Sequence, residues 1–163
     1  MPVSQSTEYQ RPRPARATAT TTKGQRETIA MPARLPGATH AILRIGAGLL
    51  FFLHGAPKLF GWFGGVGPDG GTAELFSLFG LAGVLEVFGG LLIVAGLLTR
   101  PVAILLAIEM LIAYFYAHAP QGPIPYSNGG ELALLYMFVW IFLAGNGAGP
   151  ASVDARLAGR GTS

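Results

Sequence analysis

Four long apolar runs constrain this chain more than any other feature. They extend from about Ala41 to Phe63, Leu75 to Leu98, Pro101 to Ala117 and Glu131 to Ala144. A helix needs about 20 residues, at 1.5 Å each, to cross roughly 30 Å of hydrocarbon. The first two runs meet that length, and the last two lie near its short limit. Alternation with a period of two is absent from the runs, which excludes a β-barrel reading. The expected fold is therefore all-α: a polytopic membrane protein with four transmembrane helices in an antiparallel bundle. Composition agrees, since 51% of residues are hydrophobic and only 12% are charged, against about a quarter charged in soluble domains.

The 163-residue chain divides into three parts. Residues 1–37 are rich in Pro, Arg, Thr and Gln and hold too little apolar surface to offset the entropy of ordering, so a disordered basic tail is expected. No short apolar region adjoins its charges as a secretory signal would, and no two of its arginines are adjacent. A translation start at Met31 is an alternative expectation. Residues 38–147 form the membrane domain, and 148–163 are expected to be a short flexible tail.

Charge sets the orientation. Arg34, Arg44, Arg100, Arg156, Arg160 and the basic N-terminal tail fall on one side of the four-span arrangement. Asp69 and Glu74 fall on the other, where Lys58 is the one basic residue. Positively charged flanks face the cytoplasm, so both termini are expected inside a bacterial inner membrane. The net charge of +3 thus reports topology, and the lipid bilayer rather than nucleic acid is the expected partner. The chain has no cysteine, which excludes thiolate metal sites, Fe–S clusters and dithiol relays within it. No metal constellation is present in the sequence, and the glycines of the Gly64–Gly71 stretch lack the context of a phosphate-binding loop.

The ionisable residues inside the runs are the candidates for function, because each costs roughly 2.5–3.5 kcal/mol at membrane depth. His54 and Lys58 lie four apart and share one helical face, and Pro57 between them should bend the helix and free the Leu53 carbonyl. Glu86 shares a face with Gly83 and Gly90, small residues that let another helix approach, so it should point into the bundle. Glu109 lies near the middle of the third run. Lys58 with Glu86 is the expected ion pair, and His54 or Tyr116 is available to Glu109. Two carboxyls then face one lysine, so either His54 is charged or Glu109 holds a proton. A carboxyl poised in that way suits proton-coupled chemistry. The plainer reading is that the pair only fixes helix packing.

Other polar residues have plainer readings too. His118, nine residues past Glu109 and before Pro120, reads as interfacial. With His54 it makes only a weak case for haem ligation. Asn128-Gly129-Gly130-Glu131 has the spacing of a helix-capping box, so Glu131 should cap the fourth helix while lining the outer mouth. Trp62, Tyr126, Tyr136 and Trp140 suit interfacial anchoring.

Taken together, these residues form a pattern. Arg44, Phe51-Phe52-Leu53-His54-Gly55 and Lys58-Leu59-Phe60-Gly61 are followed by Leu85-Glu86, Gly89-Gly90-Leu91-Leu92 and Gly96-Leu97-Leu98-Thr99-Arg100-Pro101. Then come Glu109-Met110, Ala113-Tyr114-Phe115, His118 and Asn128-Gly129-Gly130-Glu131 through Tyr136. From about Leu43 to Asp154 the chain resembles the DoxX family of small four-helix integral membrane proteins of bacteria and archaea. Some relatives in that family are subunits of thiosulfate:quinone oxidoreductases, and others are grouped with membrane complexes linked to thiol and oxidative stress. The resemblance implies a membrane subunit of a quinone-linked oxidoreductase, with a quinone as the associated cofactor and a partner oxidoreductase subunit or a second copy of the chain as partner. Glu86 and Glu109 would exchange protons, and Lys58 and His54 would bind quinone carbonyls or an anionic substrate. Phe51, Phe60 and Phe115 would wall the pocket, with Tyr116, His118 and Glu131 completing the binding set. Two rival expectations use the same cluster: a carrier for a small solute or proton, and a structural or assembly subunit without chemistry.

Overall fold

The computed structural model describes residues 35–160. The expectations for the N-terminal tail and for Met31 lie outside the described residues. Among those residues all regular structure is helical, apart from one β-bridge between Val66 and Gly71. The main helices are α1 (Leu35–Phe60), α2 (Leu78–Ala95) and α3 (Thr99–Gln121), α4 (Glu131–Asn146) and α5 (Val153–Arg160). The first three carry stretches long and apolar enough to cross a membrane. α4 is equally apolar but has 16 residues, about 24 Å of helix.

Local chemistry sets the boundaries. α1 stays helical through Pro57 to Phe60 and stops at Gly61, whose φ of 70° a residue with a Cβ adopts only at a cost. α2 begins where the Ser77 side chain accepts a hydrogen bond from the Gly80 N–H at 3.0 Å. It ends at Gly96 in the left-handed region, with Leu97 N–H returning to the Leu92 carbonyl at 3.0 Å. That stop comes before the end of the second apolar run, which reaches Leu98. The turn is Gly96–Leu98, and Pro101 sits inside the first turn of α3, where its missing N–H costs nothing.

α1 crosses α2 through two pairs of glycines. A Cβ on Gly48 would lie 2.8 Å from the Gly90 carbonyl oxygen, and one on Gly55 would lie 2.8 Å from that of Gly83. Without side chains at these points the two backbones come together directly. α3 packs along α4, and Phe51 of α1 joins them in a core with Leu106, Met110, Tyr136, Trp140 and Leu143. Phe51 meets the Trp140 ring edge-on with centroids 5.0 Å apart, and Tyr136 stacks on Trp140. Tyr136 and Trp140 are thus core residues and not the interfacial anchors expected. They lie one helical turn apart on the face of α4 that meets α1 and α3. Trp62 and Tyr126 are exposed.

Val153–Arg160, within the stretch expected to be a flexible tail, forms α5 and fastens the ends of the helices where α2 stops and α3 starts. The Asp154 carboxylate accepts the N–H groups of Leu98 at 2.8 Å and Thr99 at 2.9 Å, capping α3 from a distant part of the chain. Buried Arg44 donates to the Ile93 and Val94 carbonyls at the end of α2 and to Ala151 at 2.6 Å. Arg100 donates to the carbonyls of Ala144 and Gly145 at the end of α4. Positive charge therefore meets the negative end of two helix dipoles.

Candidate functional site

The half of the helices away from α5 encloses a cavity of about 530 Å³ lined by side chains of α1, α2, α3 and α4. Its walls are mostly aliphatic and aromatic, and its polar groups converge from three helices. Lys58 Nζ donates to both oxygens of Glu86, at 2.7 and 2.6 Å. The same ammonium lies 4.7 Å from the centre of the Phe79 ring, a second favourable contact for its charge. The expected Lys58–Glu86 pair is therefore present. It forms because Gly83 lets α1 come close: a Cβ there would stand 2.8 Å from the Cβ of Lys58.

Two helices change pitch at the cavity. α2 makes a π-helical turn at Leu85–Gly89, and α3 makes another at Tyr114–His118. Such turns hold one extra residue and often occur at functional sites. The first carries Glu86, and the second carries Tyr116 and His118. Neither turn was legible in the sequence, since a π-turn adds no distinctive residue type.

Glu109 differs from Glu86. It is only 8% exposed, it lines the cavity, and neither carboxyl oxygen has a hydrogen-bond partner. Neither His54 nor Tyr116 bonds to it. The His54 ring stands edge-on to Tyr136, with centroids 5.8 Å apart, and faces the cavity from α1. Phe51, Tyr116 and His118 also line the cavity.

Phe60, Phe115 and Glu131 lie outside it. Phe60 is two residues from Lys58, which turns it to the opposite side of α1 and against Trp62. Phe115 and Glu131 are exposed, on α3 and in the first turn of α4. The expected capping box does not form, because Gly130 precedes α4 and the buried Asn128 side chain serves its own loop. Asn128 Oδ1 accepts the Gly130 N–H at 2.8 Å, while its Nδ2 donates to the Gly122 carbonyl at 2.7 Å. The Asn128 carbonyl lies 3.2 Å from His118 Nδ1, so this loop is tied to the wall of the cavity. Phe79 and Tyr136 are wall residues that the sequence did not single out as such. Phe79 precedes the conspicuous part of its apolar run, and Tyr136 reads equally well as an anchor.

Among the described residues no group of three or more His, Asp or Glu side chains is placed to hold a metal. The cavity instead suits a small, mostly apolar molecule. Its volume falls within the 300–1,000 Å³ usual for such sites, and a few polar groups stand ready to fix an orientation.

The DoxX family profile matches residues 39–119, a segment containing His54, Lys58, Glu86 and Glu109. An uncharacterized protein of Haemophilus influenzae is 39% identical over 118 residues, which is 70% of this chain and 87% of that relative. No solved structure matches the chain. With that relative matched over most of its length, and with three apolar helices of spanning length, the chain belongs to the DoxX family of membrane proteins.

Proposed function

We propose that this protein is a four-span subunit of a quinone-linked oxidoreductase system in the bacterial cytoplasmic membrane, with both termini inside. For the four spans, the supporting observation is that α4 runs the length of α3. Its start lies by His118, through Asn128, and its end lies by Arg100. For the orientation, Arg44, Arg100 and Arg156 collect at the α5 end, while Asp69 and Glu74 lie in the connection beyond the far end of α1.

One observation carries the quinone reading: an unpartnered, buried carboxyl faces an apolar cavity beside a lysine already neutralised by Glu86. A carboxylate buried without a partner is expensive, so Glu109 rests with a proton. A quinone, when bound, accepts two electrons and two protons, the electrons coming from a partner subunit. Glu109 Oε–H would hydrogen-bond one ring carbonyl oxygen and deliver one of the two protons, the second reaching the other carbonyl from water at the cavity mouth. Lys58, held by Glu86 against Phe79, has its charge compensated and leaves Glu109 as the unpaired acid of the cavity. His54 faces the same cavity and would return a proton to the Glu109 carboxylate left behind. Ring-sized apolar walls keep water from competing.

The test is thermal denaturation of the purified protein titrated with a short-chain benzoquinone. A ligand bound only to the folded state adds about 2.7 kcal/mol at a hundredfold excess over its dissociation constant. Wild type should show a saturable rise, and Glu109→Gln and Glu86→Gln should fold without it. Absence of any rise in wild type would overturn the reading and favour a carrier, which solute flux into proteoliposomes would reveal.

A further inference from the structure

We infer that the cavity is reached sideways from the lipid, through a slot between α2 and α3, and that its ligand is a polar ring with a long apolar tail lying in that slot. This rests on the quinone reading for the ring and adds the route and the tail. Leu78 and Leu81 of α2, and Leu105, Ile108 and Ile112 of α3, line the cavity and yet are about half exposed. Leu81 is 47% exposed and Ile108 50%. A side chain faces both a cavity and the outside only where the wall between them is open. Residues 105, 108 and 112 share one face of α3 and extend over about 10 Å of helix, so the opening is a slot along the helices.

Tyr116 and Leu132 line the cavity and are exposed as well, at its loop end, while helix contacts close the other sides. The glycine crossings seal α1 against α2, α3 packs along α4, and the loop holding Asn128 is tied to His118. α2 and α3 touch along Leu85–Gly89, where Leu106 fills the space beside Gly89, and part beyond that turn. Glu109 lies between Ile108 and Ile112 in sequence and inside the slot in space. A ring bonded to Glu109 occupies the cavity, and a tail longer than the cavity leaves by the slot.

The experiment uses the full chain in lipid nanodiscs and two probes: a dimethoxy-methyl benzoquinone with no tail, and the same ring with a decyl tail. Ile108→Trp should narrow the slot and weaken the tailed probe about tenfold more than the tail-less one. In wild type, a photoreactive diazirine at the tail's end should label residues 78–81 of α2 or 105–112 of α3. The inference fails alone if wild type binds both probes while Ile108→Trp weakens both equally or neither. It also fails alone if the label falls on α1, α4 or the 122–130 loop, and labelling decides the matter should Ile108→Trp not fold. If wild type binds neither probe, the quinone reading itself falls and the slot with it.

Discussion

At the scale of single residues, the balance between Lys58 and Glu86 governs the half of the molecule away from α5. Both partners are nearly buried and close on each other in two short hydrogen bonds. Their attraction largely offsets the cost of removing both from water, so the pair adds little net stability, whereas either charge left alone is costly. Lys58→Met should therefore lower stability by about 3–5 kcal/mol, and adding Glu86→Leu to it should restore most of that loss. Chemical denaturation in one detergent, read by Trp fluorescence, compares the three proteins; a Lys58→Met protein as stable as wild type would show that the pair is not desolvated. This pair was legible in the sequence, because Lys58 stands alone among acidic neighbours and Glu86 lies on a face of small residues. The isolation of Glu109 was not. It arises because α2 and α3 diverge beyond Gly89, and divergence leaves no mark on either helix's own sequence.

Helix positions were legible, with ends off by up to about six residues, since hydrophobic runs and glycine stops act locally. Helix pairing was only half legible. The Gly83/Gly90 face of α2 was visible, but its complement on α1 was not. Gly48 and Gly55 also lie seven residues apart, so the four glycines meet as two matched pairs two turns apart. A methyl on Gly55 would sit 2.8 Å from Glu86 Cβ, the Gly83 oxygen and Val87 Cγ2 at once. Backbone among those neighbours means the helices must move apart, at a cost of about 1–3 kcal/mol. Gly46, with nothing within 4 Å of such a methyl, is the control. Gly55→Ala should lower the denaturation midpoint and weaken the Lys58–Glu86 contact, while Gly46→Ala should leave the midpoint unchanged or raise it slightly. Equal effects at both positions would mean that the crossing is looser than its geometry implies.

On the scale of the whole molecule, the two ends of the helices are held by different chemistry. The end away from α5 is apolar and open along one side; the α5 end is tied by charge. Burial of Asp154 raises its pKa, but the Thr99 and Leu98 N–H groups, the Thr99 hydroxyl and the charge of Arg44 outweigh that and leave it below the ordinary aspartate value. A carboxyl lowered on folding stabilises most above its unfolded value, near 3.9, and loses that contribution as the pH falls through its folded value. Asp154→Ala should cost about 0.5–2 kcal/mol at neutral pH, as a lost helix cap does, and the gap from wild type should close below about pH 4. A gap that persists unchanged into acid would assign the cost to packing rather than to charge.

The same α5 end decides how many times the chain crosses the membrane. Through Asp154, α5 is fixed to the start of α3, whereas His118 and Asn128 join the end of α3 to the approach of α4. If α3 crosses the bilayer, the residues at its two ends lie on opposite sides, and α4 with its 16 residues must carry the chain back. On the proposed orientation, α5 lies in the cytoplasm. Because the chain lacks cysteine, single introduced cysteines report position without background. Asp69→Cys and Ser127→Cys should react with a membrane-impermeant maleimide added to intact spheroplasts, and Ala158→Cys should react only after lysis. If Ala158→Cys reacts together with Ser127→Cys in intact spheroplasts, α4 lies along the surface and the chain crosses three times. The contacts of Arg100 with the Ala144 and Gly145 carbonyls could not then coexist with a membrane-spanning α3.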